Sequence, residues 1–393
     1  MRPWGLYVHI PYCRRRCSYC DFTIRVGQVE AEAPRYVKAL LEEARGWREQ
    51  LAIAEGPSSI YFGGGTPSLL PAPLLVELLE GLWRIFGRRA ETEVTVEANP
   101  DALAESSLRA WREAGVNRLS LGVQSFDPEV LRAMRRSHEV ATVEQVVFQA
   151  RRAGFDNLNL DLIYGWPGQD LASWQDTVEA AILLEPTHLS CYQLQVEPLT
   201  PLGRWVAAGQ VMASDDELVA AMAEWAERRL SAAGFSRYEI SNYARPGWEC
   251  RHNLLYWRLE PYLGLGVGAH SYWQGRRWWN LASLPAYLRR LEAGEVAREG
   301  LEELDQVEAM RQFLWLGLRE LRGVRRGDFR ARFGRDWDAV FPTPLRQLVD
   351  WGLLEEDSVG LRLTARGRDL ANVVARQLVD APDEGPGSSL DSP

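Results

Sequence analysis

Leu6-Tyr-Val-His-Ile10-Pro-Tyr-Cys13-Arg-Arg-Arg-Cys17-Ser-Tyr-Cys20 stands near the start of the chain and decides how the rest is read. Leu6–Ile10 has the composition of a β-strand, and a loop with three cysteines follows it directly. Five cysteines are an odd number, and three of them crowd into eight positions, which reads as a metal site and not as a disulfide framework. Three thiolates on one short loop can hold three corners of an iron–sulfur cube, whose full set is four cysteines. The missing fourth ligand leaves one iron open to a chelating molecule, by the logic of catalytic metal sites. A zinc ion with His9 as fourth ligand is the alternative.

Outward from that loop the pattern repeats. Strand-like runs at Ser59–Phe62, Glu93–Glu97, Arg118–Val123, Asn157–Ile163 and His188–Val196 alternate with helical runs at a spacing of roughly 30 residues, the mark of successive βα units and a parallel sheet. The expected fold is α/β: an open six-unit (β/α)6 partial barrel, TIM-like, with a doubly wound sheet as the alternative. In such sheets the loops after the strands carry the site. The core is expected over 1–236, and a barrel-associated, Gly- and aromatic-rich segment over 237–300. A mostly helical, winged-helix-like module follows over 301–380. The Pro-, Gly-, Ser- and Asp-rich tail, 381–393, reads as disordered.

The 393 residues carry a net charge of −9, which argues against nucleic acid as a partner. No apolar run approaches the ~18 residues that span a bilayer, and Pro3–Ile10 is too short for a secretory signal. A cytoplasmic protein, or one peripheral to a membrane, is expected.

Four polar or glycine-rich strand ends follow. Gly63-Gly64-Gly65-Thr66-Pro67 lets backbone approach a ligand closely, or makes a tight turn. Glu97 closes the third strand with an acceptor suited to a diol. Gln124 ends the fourth strand and Asp161 ends or interrupts the fifth, and polar groups there need partners. Cys191 lies in an apolar strand and reads as core.

Cys-x3-Cys-x2-Cys after the first strand, with His9-Ile-Pro-Tyr-Cys13 and Cys20-Asp-Phe22, resembles the radical S-adenosylmethionine superfamily and, within it, the coproporphyrinogen-oxidase-like branch. The later motifs fall in family order over nearly the whole chain. The resemblance implies a [4Fe–4S] cluster on Cys13, Cys17 and Cys20 and S-adenosylmethionine on the open iron. By the same resemblance Gly64, Gly65 and Thr66 hold its amino group and Glu97 its ribose. Gln124, Arg136 and Asp161 contact it or a second ligand, Tyr7 lines the site, and Ala269 and His270 close over the adenine side.

Arg251-His252-Asn-Leu-Leu-Tyr256-Trp257-Arg258 is similar to a motif of the branch's haem-chaperone subgroup. An imidazole suits haem iron, Tyr256 and Trp257 offer flat faces, and Arg251 or Arg258 could meet propionates; Cys250 is a second, softer candidate ligand. The branch's oxidase has a further cysteine two places after the third, where this chain has Phe22. The resemblance therefore implies haem as cargo, passed to haem-accepting membrane or respiratory proteins. Oxidation of coproporphyrinogen III and radical methyl transfer are the alternatives.

Overall fold

The computed structural model describes residues 2–380; the tail expected to be disordered lies outside the described residues. Six parallel strands run in sequence order: Gly5–Ile10, Ser59–Gly64, Glu93–Ala98, Arg118–Gln124, Asn157–Tyr164 and His188–Gln193. Helices Val29–Gln50, Ala72–Phe86, Glu105–Ala114, Val140–Arg152 and Leu171–Leu183 connect them, as parallel pairing requires.

Residue parity sets the two faces of this sheet. Leu6, Val8, Ile60, Phe62, Val94 and Val96 join helix residues such as Leu40, Leu78 and Trp111 in the main core. A period of two sends the intervening residues to the inner face. They are polar, and they satisfy one another: Tyr61 donates to Glu97 (2.8 Å), Asn159 to Ser120 (2.7 Å) and Ser120 to Asp161 (3.0 Å). Buried polar groups persist only with such partners.

The sheet grows beyond the six units to twelve strands. Tyr262–Leu265 pairs parallel with the first strand, and His270–Trp273, Arg276–Asn280 and Arg298–Glu303 follow antiparallel. On the far side Asn242–Ala244 and Ser236–Arg237 extend the sixth strand. The two outermost strands do not meet, so the barrel stays open. The segment that sequence patterning leaves as aromatic-rich chain becomes strand because an existing edge offers it hydrogen bonds. The final edge reads Arg-Glu-Gly-Leu-Glu-Glu, charged enough to discourage further pairing.

A seven-residue helix, Arg251–Trp257, plugs the barrel at the amino-terminal end of its strands. His252 Nδ1 lies 2.8 Å from Ser59 Oγ, and Glu93, the first residue of the third strand, accepts from the backbone N–H of Arg251 and His252 (both 3.1 Å). Gly5 makes room for this helix, since a Cβ there would lie 2.8 Å from Leu255.

The C-terminal module has helices Gln306–Gly317, Arg326–Phe333, Pro342–Asp350 and Ala371–Val379 around a three-stranded antiparallel sheet, Val324–Arg325, Gly360–Leu363 and Leu354–Glu356. Its own core contains Phe329, Trp337, Phe341 and Leu348. Arg258 ties the plug helix to it through Glu320 (2.9 and 3.0 Å).

Candidate functional site

The cysteine loop is pinned on both flanks. Gly27 N–H donates to Cys13 O (3.1 Å), Ser18 donates to Ala133 O and Met134 O, and Leu202 N–H donates to Ser18 O (2.8 Å). Its three cysteines are free thiols, Cys13 buried and Cys17 and Cys20 partly so. Burial, only partly offset by the nearby Thr66 hydroxyl, raises the Cys13 thiol, and burial pushes Cys20 up to about 11. Both thiols are therefore protonated at neutral pH until a metal takes the proton's place.

Cys13, Cys17 and Cys20 line one cavity of about 250 Å3 with Gly64, Gly65, Thr66, Glu97, Gln124, Arg136 and Asp161. It lies at the carboxyl ends of the strands. Thr66 Oγ1 stands 3.5 Å from Cys13 Sγ, and Arg136 Nη1 stands 3.6 Å from Cys17 Sγ. The same guanidinium donates to Asn99 Oδ1 (2.7 Å) and Gly122 O (2.5 Å), so it is held as a fixed positive wall. Gly64 has φ +111°, and a Cβ there would sit 2.5 Å from the His9 ring; the backbone can pass only as glycine. Gln124 has φ +69° and follows a break in strand register after Gly122, which turns the chain into the cavity.

Glu97 accepts from Tyr61 OH and from Gly64 N–H (3.2 Å). Burial first, and then the neighbouring Asp161, push its carboxyl up to about 7. Burial likewise raises Asp161, against hydrogen bonds from Ser120, Ser190 and Asn159. A carboxyl whose folded pKa exceeds its unfolded value binds its proton more tightly in the fold, so it lowers stability as pH rises through that window. Glu97→Gln is expected to lose less stability than the parent between pH 4.5 and 7, measured by urea midpoints. Parallel pH profiles for the two proteins would refute the assignment.

Other predicted residues lie elsewhere. Tyr7, Tyr256, Ala269 and His270 line a second cavity of about 360 Å3, which shares Phe22 and Gly64 with the first. Trp257 faces the C-terminal module, with Arg319 stacked 4.7 Å from its ring. His252 is 1% exposed; its Nδ1 meets Ser59 and its Nε2 meets Tyr256 OH (2.8 Å). Burial and then Arg118 lower its pKa to about 3. Both nitrogens of His252, the candidate haem ligand, are thus engaged inside the plug. Cys250 is fully buried and its thiol points to Glu93 (3.7 Å), which likewise removes it from any open site. His9 is engaged as well, between Tyr7 OH (3.0 Å) and Thr23 O (2.9 Å), and is not free for zinc. Among the described residues no three His, Cys, Asp or Glu side chains converge as ligands of one ion.

Asn99, Ser120 and Asn159 were not singled out from sequence. The signal for Ser120 and Asn159 is the alternation in Arg118-Leu-Ser-Leu and Asn157-Leu-Asn-Leu-Asp, whose polar parity faces inward.

Two family profiles match the chain: the radical SAM superfamily over residues 7–181 and the HemN C-terminal domain over 304–370. The chain is 35% identical to the heme chaperone HemW of Bacillus subtilis, covering 94% of this chain and 97% of that one. It is 38% identical to the heme chaperone HemW of Mycobacterium tuberculosis, covering 96% and 95%. Its fold superposes on coproporphyrinogen III oxidase (HemN) from Escherichia coli, a radical SAM enzyme, with a TM-score of 0.84 at 25% identity, covering 96% and 90%. Membership of that superfamily implies a [4Fe–4S] cluster and S-adenosylmethionine. With relatives this similar along nearly their whole length, the chain belongs to the HemW family within the radical SAM superfamily.

Proposed function

We propose that this protein is a haem chaperone that carries a [4Fe–4S] cluster and S-adenosylmethionine, binds haem and passes it to haem-accepting membrane or respiratory proteins. The observation that carries the reading is the single cavity shared by three free thiols, Gly64, Glu97, Arg136 and Asp161, in a chain whose relatives are named heme chaperones. The donor set fits a cluster with one open iron, since Cys191 and Cys250 lie outside that cavity. Cys13, Cys17 and Cys20 would hold the cluster, which when bound can supply an electron to a chelated sulfonium. Backbone at Gly64 and Gly65 would receive an ammonium group, Glu97 a ribose diol, and Arg136 a carboxylate or the cluster's negative charge.

Phe22 is 57% exposed at the cavity rim, an apolar surface at the place where the oxidase has another cysteine. No helix among the described residues is long and apolar enough to cross a membrane, and the acidic balance disfavours nucleic acid. A cytoplasmic or membrane-peripheral location follows from the proposed traffic in haem.

The fold's likeness to a coproporphyrinogen III oxidase favours one rival, oxidative decarboxylation. One anaerobically reconstituted sample separates the two. Titration with haem is expected to give a saturable one-to-one Soret complex, and incubation with coproporphyrinogen III, S-adenosylmethionine and dithionite no decarboxylated product. Turnover without a haem complex would overturn the proposal.

A further inference from the structure

We infer that the axial ligand for the carried haem is His270, at the rim of the second cavity. The inference rests on haem being the cargo. It starts from a census of imidazoles, because the chain has five histidines and all five are described. His9 and His252 have both ring nitrogens engaged, as given above. His188 is fully buried between Asn159 Oδ1 (2.6 Å) and Tyr238 OH (2.8 Å). His138 is 5% exposed; its Nε2 meets Val123 O (3.1 Å) and its Nδ1 is enclosed without a partner. His270 alone is exposed, and among the described residues its ring has no hydrogen-bond partner.

That ring is nevertheless oriented. His270 pairs with Trp279 across adjacent strands, and the two rings stack at 5.8 Å and 22°. Burial, and then Arg277, lower its pKa, so the imidazole is neutral and able to ligate at pH 7. Beside it the cavity presents Tyr7, Phe22, Tyr256 and Tyr262, flat faces suited to a macrocycle. Arg277 has no carboxylate at ion-pair distance among the described residues; Gln312 (2.6 Å) and the Tyr262 hydroxyl are its partners. It is placed to meet a propionate.

The position also suits delivery. A haem bound by one histidine on an open rim keeps its other axial site free for an acceptor's ligand, so transfer can proceed by ligand exchange. Phe22 and Gly64 form the wall between this cavity and that of the three thiols, so the cargo would lie next to the cofactor without entering its pocket.

The test is a ferric haem titration of the parent, His270→Ala and His252→Ala proteins, read by Soret position and electron paramagnetic resonance. Far-ultraviolet circular dichroism and urea midpoints would verify folding. The parent is expected to show a histidine-ligated spectrum. His270→Ala should bind haem at least about tenfold more weakly, with an altered spectrum that added imidazole restores. His270→Met, expected to fold alike, should bind with a spectrum distinct from both. If the parent binds haem and His270→Ala keeps its spectrum and affinity, the ligand assignment is wrong while the chaperone reading stands. Loss of ligation in a folded His252→Ala alone has the same meaning. No haem complex in the parent defeats both.

Discussion

Cys17→Ala protein, reconstituted anaerobically, is expected to lose the broad iron–sulfur absorption and to retain iron at least about tenfold more weakly than the parent. Its urea midpoint should be nearly unchanged. Cys17 is partly exposed, and its thiol has Arg136 at 3.6 Å and the Tyr19 hydroxyl as polar neighbours; truncating such a side chain typically changes stability by under about 0.5 kcal/mol. Cys191→Ala is the control. That thiol lies buried in the sixth strand, where burial pushes it up to about 12, so its loss should cost packing and leave the cluster in place. A Cys17→Ala protein that keeps its full iron–sulfur spectrum would show that these thiols do not carry the metal.

The largest stability effect is expected from Glu93→Ala, at about 2–4 kcal/mol, because two buried backbone donors would lose their acceptor. Glu93 is 6% exposed. It caps the plug helix by accepting from the N–H groups of Arg251 and His252, donors that no residue within the helix can satisfy. It also lies near Arg118, 2% exposed at the start of the fourth strand, without forming an ion pair with it. Burial opposes a charge on Arg118, and its neighbours Cys250 and Glu93 favour it. The Cys250 thiol is pushed up to about 12 and stays neutral at pH 7. Glu93→Gln keeps an acceptor for the helix and should lose less than Glu93→Ala. A loss below about 1 kcal/mol for Glu93→Ala, read from urea unfolding, would mean that packing and the Ser59–His252 bond suffice to seat the plug.

Strand positions were legible because each βα unit is local. The six barrel strands begin within one residue of expectation. The later strands, from Tyr262 onward, were not legible, since they exist only beside an edge that the first strand provides more than 250 positions away in sequence. In the C-terminal module the last helical stretch is two helices, Ala365–Asp369 and Ala371–Val379, parted at Leu370. The short strand Val324–Arg325 also went unread, for it is two residues long and is defined by pairing with Leu361 and Gly360.

The sequence by itself determined the thiol loop and the barrel that presents it, because eight consecutive positions set the ligand spacing and a two-residue period sets each strand's faces. Only the tertiary structure decided which histidine is available. His252 looks like a ligand in the company of Tyr256 and Trp257, yet Ser59 and Glu93, 193 and 159 positions away, draw it into the barrel's base. His270 is left at the rim, its ring without a hydrogen-bond partner among the described residues. A ligand's type is written locally, but its open lone pair depends on who else reaches it, and that is settled by contacts distant in the chain.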